Sequence, residues 1–186
     1  GKVKRADDKA IINVSAQNFA EENTSLSWAE RKYIGFDLQL YYDLPLLGAF
    51  SLKGELLKGQ QPAIQNNTIS FTSLPVNDIY VRNFTGYYLV YVQNIGEYNQ
   101  FVAKYDYYDP NTDVEGNQIG QLTFSKLGYA DLKYSTLGIG WIHYWDANVK
   151  FVFYYDIVKN ETSKFLTGYE NDLKDNVFTF RIQYKF

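Results

Sequence analysis

Large apolar residues recur at every second position through most of this chain, in runs of about ten residues, which is the period of a β-strand with two unlike faces. The segment KYIGFDLQLYYD sets Ile34, Phe36, Leu38, Leu40 and Tyr42 on one face and Gly35, Asp37, Gln39 and Tyr41 on the other. A helix would scatter both sets around its circumference. After the tight turn LPLLG comes GAFSLKGELLKG, with Phe50, Leu52 and Leu56 opposed to Ser51, Lys53 and Glu55. The same alternation predicts strands at 83–93, 98–109, 129–145, 148–158 and 175–186, and a weaker one at 10–19, which makes eight. Pro45, Pro62, Pro75 and Pro110 are expected between strands, where a missing backbone donor does no harm.

The connections alternate in length. Long ones are predicted at 20–31, 60–81, 110–128 and 159–174, and short ones at 44–48, 94–97 and 146–147. All long loops therefore lie at one end of an up-and-down meander. The expected fold class is all-β, a single antiparallel up-and-down β-barrel domain, and the loop asymmetry is that of a transmembrane barrel with short periplasmic turns and long external loops.

Composition narrows the reading. A chain of 186 residues suits one folding unit. Lys and Arg number 18 against 21 Asp and Glu, so no global field would recruit nucleic acid. The absence of Cys excludes disulfides, thiolate metal sites and a Cys nucleophile. Aromatic content is high, with 18 Tyr, 13 Phe and 3 Trp, and Tyr suits surfaces where water meets apolar material. No stretch approaches the ~18 consecutive apolar residues of a membrane-spanning helix. The opening GKVKRADDKA lacks an apolar signal core, so the chain is expected to be a mature protein or an excised piece of one.

Period 2 alone does not separate a soluble barrel or sandwich, with its apolar face around a core or ligand cavity, from a membrane barrel with that face outward. Three features favour the membrane barrel. The face opposite the apolar one carries Asp37, Lys53, Glu55, Lys104, Asp106, Lys133, Lys150, Asp156, Arg181 and Lys185, a mixed-sign set suited to a wet lumen. Aromatics cluster near strand ends, in DYYD, HYW, FYYD and QYKF, as interfacial girdles do. The last strand places Phe178, Phe180, Ile182, Tyr184 and the terminal Phe186 on one face, which resembles the C-terminal signal that hands outer-membrane barrels to the barrel-assembly machinery.

VRNFTGYYLVYVQNIGEYNQFVAKYDYYDPNT, DLKYSTLGIGWIHYWDANVKFVFYYDIVKNE and DLKDNVFTFRIQYKF together resemble the C-terminal half of the phosphate-selective porin O and P family, in the form common in Bacteroidota. The resemblance covers most of 32–186. It implies a barrel of about sixteen strands, often trimeric, in the outer membrane of a Gram-negative bacterium, passing small solutes or anions through a water-filled lumen with no cofactor. The eight predicted strands would then be part of a larger whole, or an unusual small barrel. The basic ladder of the anion-selective members does not carry over, because the lumen-facing cations here alternate with Asp37, Glu55, Asp106, Asp131 and Asp156. Opposite charges cancel the field that concentrates one ion sign, so weak selectivity is expected. A barrel that conducts nothing and presents its loops to partners is the remaining membrane reading.

Other chemistry is thin. Asp109, Asn111, Asp113 and Glu115 alternate in DPNTDVEG like the opening of a calcium loop, but Gly116 and Gly120 stand where that motif needs other residues. The lone His143 in GWIHYW has no nucleophile signature beside it and is expected to serve packing or hydrogen bonding. Asp106 and Asp109 flank aromatics as a glycosidase pair could, yet nothing else points to catalysis.

Overall fold

A computed structural model describes residues 1–14, 21–69, 71–73, 75–121 and 126–186. The long strands are β5 (Lys32–Leu44), β6 (Gly48–Ala63), β7 (Ile79–Ile95), β8 (Asn99–Asp109), β9 (Tyr134–Tyr144), β10 (Val149–Asn160) and β11 (Val177–Tyr184). Each pairs antiparallel with the next, so the predicted meander is present from β5 onward. Its connections alternate as expected, with the β5–β6, β7–β8 and β9–β10 turns at one end and the long ones at the other.

The N-terminal region departs from expectation. Four short strands precede the meander: β1 (Lys2–Lys4), β2 (Ile11–Asn13), β3 (Glu21–Asn23) and β4 (Trp28–Glu30). The weak strand predicted at 10–19 survives only as β2 among the described residues, and 15–20 lie outside them. It does not open the meander. Instead β2 lies parallel to β7, Ile11 opposite Ile79 and Asn13 opposite Val81, and β3 pairs to its other side. Consecutive Ile11 and Ile12 are both buried, so each face of β2 is covered and the alternation that marks a half-wet strand is lost. The expected loop at 20–31 contains β3 and β4, of which β4 forms a separate two-stranded sheet with β1.

Barrel closure is not observed. The main sheet has nine strands, and the long edges β5 and β11 each pair on one side only among the described residues. Strand direction reverses at each step from β5 to β11, so these two edges run the same way.

Pro62 also departs from expectation, since it lies inside β6 opposite Val81. It is tolerated because β6 runs past β5 there. The last β5–β6 pair is Lys32 with Gln60, so Pro62 is at a free edge on that side.

The fully buried apolar residues are at the long-loop end, not in the wall. Ala10, Ile12, Val14, Tyr80, Val114, Ile119, Leu127 and Leu132 form one cluster, with Tyr134, Leu166 and Tyr169 against it. Ile11, Ala29, Ile79 and Val81 form a second. The connections thus fold back as a packed cap on the end of the sheet.

Within the wall, register places every strand face. On one side Leu38, Gly54, Leu89, Tyr105, Leu137 and Ile157 lie in one row across the sheet. A parallel row nearer the turns holds Tyr42, Phe50, Gln93, Phe101, Trp141, Phe153 and Phe180. On the other side Asp37, Glu55, Tyr88, Asp106, Thr136 and Val158 form a row, and Gln39, Lys53, Val90, Lys104, Gly138 and Asp156 the next.

Two wall glycines are required by close approach. The Tyr154 ring lies flat across β9, and a Cβ on Gly138 would fall 2.0 Å from its hydroxyl oxygen, one on Gly140 2.4 Å from a ring carbon. Gly140→Ala is therefore expected to expel Tyr154 from its rotamer and to cost about 1–3 kcal/mol, measured as a shift in the urea unfolding midpoint. An unchanged midpoint would show that the ring is free to move.

Candidate functional site: a two-faced sheet and its capped end

The sheet's two faces differ in chemistry as the alternation predicts, and in exposure opposite to a soluble protein's habit. Ile34 is 75% exposed, Phe36 69%, Phe178 64% and Ile182 58%, although all belong to the apolar face. In β9 and β10 the apolar Leu137, Ile139, Trp141, Phe153 and Tyr155 are exposed, while Thr136, Ile142, Val152, Tyr154 and Asp156 on the other face are half-buried. That is the exposure of a sheet curled toward its polar side. A pocket of about 400 Å³ opens on the same side, lined by Glu55, Leu57, Tyr88, Asp106, Tyr108 and Tyr134 among others.

The apolar face is continuous in chemistry as well as register. Aromatic pairs cross it: Phe50 with Tyr91, Tyr87 stacked on Tyr107, and Phe151 and Phe153 on Phe180. Such cross-strand pairs add to the hydrogen-bonded ladder. The terminal residues follow suit. Phe178, Phe180, Ile182 and Tyr184 lie opposite Tyr155, Phe153, Phe151 and Val149, and the Phe186 ring meets Tyr184 edge-on.

Most of the expected lumen set shares the polar face: Asp37, Lys53, Glu55, Lys104, Asp106, Asp156, Lys150 and Arg181 all occupy its rows, and Lys185 continues them beyond β11. Lys104 Nζ is 2.7 Å from Asp106 Oδ2, an ion pair along one strand. Lys53 Nζ sits over the Tyr41 ring, 5.6 Å from its centroid, and Lys150 over Tyr144 at 5.7 Å.

Two expected lumen charges are elsewhere. Lys133 precedes β9 and reaches Glu161 at 3.4 Å and Glu115 at 3.9 Å in the cap. Asp131 is fully buried in a short 3₁₀ turn, Tyr129–Asp131, and accepts from Arg82 Nε at 2.7 Å, Asn111 Nδ2 at 2.7 Å and the Gly128 amide at 2.9 Å. Arg82 is itself 1% exposed, and its two remaining nitrogens donate to the Ile64 and Gln65 carbonyls at 2.9 and 2.8 Å. One ion pair thereby ties two long connections, β6–β7 and β8–β9, to β7. Glu161 repeats the device, accepting from the Gly116 and Lys133 amides at 2.7 and 3.2 Å.

The calcium-loop candidate is not assembled. Asp109 accepts from the Asn111 amide and the Tyr107 hydroxyl, Asp113 from Asn83 Nδ2, and Asn111 donates inward to Asp131, while Glu115 faces Lys133. Each group is spent on shaping the loop. Among the described residues no three acids or imidazoles gather as metal ligands. Asp106 and Asp109 lie on opposite faces of β8, so they form no carboxylate pair. The His143 ring contacts Asn99 Oδ1 at 2.9 Å and stacks on Phe151 at the turn end of the apolar face.

Arg82 and its partners were missed by pattern reading. The available signal was a cation inside the apolar run IYVRNF, whose nearest acid, Asp78, accepts from the Ala10 amide, so that burial of Arg82 obliges a distant partner. Comparison with protein-family models, curated proteins and solved structures found no match to this chain.

Proposed function

We propose that this sheet is a wall of a transmembrane β-barrel of the outer membrane, apolar face against lipid and polar face toward a water-filled passage for passive, weakly selective diffusion of small solutes. The carrying observation is the register, which gathers most of the large exposed apolar side chains of the long strands on one continuous face and the interleaved charges, with Tyr33, Tyr41, Tyr88, Tyr108 and Val177 among them, on the other. In water such a face would drive association, whereas in a bilayer it is the solvated side. The sequence resemblance to the phosphate-selective porin O and P family points the same way, as do the aromatic ending at Phe186 and the long loops at one end.

Free edges are untenable in lipid, so β5 and β11 need partners. Because they run in the same direction, antiparallel closure takes an odd number of added strands. A barrel of about sixteen strands satisfies this parity, with the long strands β5 to β11 contributing seven.

The test is the behaviour of the full-length protein in detergent and in planar bilayers. Folded protein is expected to migrate faster before boiling than after it, and to give stepwise conductance. A monodisperse, folded protein without detergent would overturn the proposal.

A further inference from the structure

The pocket on the polar face lies among the charged rows of the sheet. Its charged lining consists of two carboxylates, Glu55 and Asp106, in one row across the sheet with Tyr88 between them. The adjoining row supplies Leu57, Tyr108 and Tyr134. Tyr134 is backed by the packed cap, and Gly86 between Leu57 and Tyr108 keeps the floor low. Lys, Arg and His are absent from the lining.

The charges are unevenly satisfied. Asp106 is held by Lys104 at 2.7 Å. Glu55 is exposed and lies directly opposite Asp37, and among the described residues neither makes an ion pair. The nearest basic residue on its own strand, Lys53, is turned toward Tyr41. Like charges directly across a sheet repel, and a cation between Glu55 and Asp106 would relieve that repulsion. An anion would meet Glu55 with no cation beside it, and Lys104 already engaged by Asp106. Tyrosine rings add a quadrupole whose negative face attracts ammonium and guanidinium groups, and an apolar surface for a carbon skeleton. The volume of about 400 Å³ lies within the range of small-molecule sites.

We propose that this pocket binds small organic cations, an ammonium or guanidinium head between Glu55 and Asp106 with its carbon skeleton against Tyr88, Tyr108 and Tyr134. The site rests on the reading of the polar face as wet, and it makes the passage favour cations over the anions suggested by the family resemblance.

Two measurements on the full-length protein in detergent and in planar bilayers test it. Calorimetric titration with L-arginine amide is expected to show saturable binding, and inorganic phosphate and maltose none. Glu55→Gln should weaken the arginine amide about tenfold, the worth of one charge-assisted contact. Tyr88→Leu, which leaves the carboxylates in place, should weaken it several-fold through loss of the ring. Both variants change exposed side chains, and unboiled gel mobility checks that they fold. In bilayers under a salt gradient the reversal potential should indicate cation preference, reduced in Glu55→Gln. Equal or tighter binding of phosphate or maltose, or arginine-amide binding indifferent to Glu55→Gln, overturns the site. Absent conductance with intact, Glu55-dependent binding supports the site and overturns the pore.

Discussion

Arg82→Ala is expected to destabilise the capped end by about 3–5 kcal/mol, the cost of leaving a buried charge without its partner. Asp131 would keep Asn111 Nδ2 and the Gly128 amide as donors but lose the one cation bonded to it among the described residues, in a site with 0% exposure. The Ile64 and Gln65 carbonyls would lose their donors together with it. Asp131→Asn should cost less, since the amide oxygen still accepts one of the same bonds. The double substitution Arg82→Met with Asp131→Leu should lie nearer the native protein than Arg82→Ala, because a buried pair replaced whole leaves no orphan charge. The wall has its own ladder, so the loss should appear first as accelerated hydrogen exchange and proteolysis in 64–69 and 110–121. Unchanged protection there in Arg82→Ala would show that the ion pair does not hold the cap.

The wall was largely legible in the sequence because its information is local. A residue such as Leu52 or Lys53 declares its face by parity alone, and the turns LPLLG and NIGE are short enough to fix the pairing of the strands on either side. The polar-face residues therefore fell into rows as expected, with Lys133 and Asp131 the exceptions, since both precede β9 and share the parity of its apolar Leu137 and Ile139. The cap was not legible. Its central contact joins Arg82 to Asp131 across 49 residues, and Asn111 to Asp131 across 20, separations at which no periodicity operates. The segment at 10–19 shows the same limit from the other side. Alternation over a few residues predicts a strand but not its partner, and β2 took β7 in parallel, where both faces are covered. Nor could period 2 state which face is outward. The exposure of Phe36 and Ile139 supports the proposal that the apolar face is the outward one.

Leu89→Arg and Val90→Arg form the most direct test of which face meets lipid, since the two residues are adjacent in β7 and point to opposite sides. Leu89 lies between Gly54 and Tyr105 in the central apolar row, and Val90 between Lys53 and Lys104 in a charged one. If the apolar face is in the hydrocarbon layer, an arginine at Leu89 must be desolvated or must thin the bilayer, at about 2–4 kcal/mol near the midplane. An arginine at Val90 would stay in water, at the modest cost of standing near Lys53 and Lys104, and Glu55 and Asp106 one row away would offset part of that cost. Unfolding free energies in lipid vesicles are therefore expected to fall by the larger amount for Leu89→Arg and by less than about 1 kcal/mol for Val90→Arg. The contrast should grow when Leu137, two strands away in the same row, is changed instead of a residue near the turns such as Trp141, because the penalty declines toward the interfaces. Equal losses at 89 and 90 would mean that neither side is preferentially lipid. A larger loss at Val90 would turn the sheet inside out, with the charged rows packed and the aromatic rows in water.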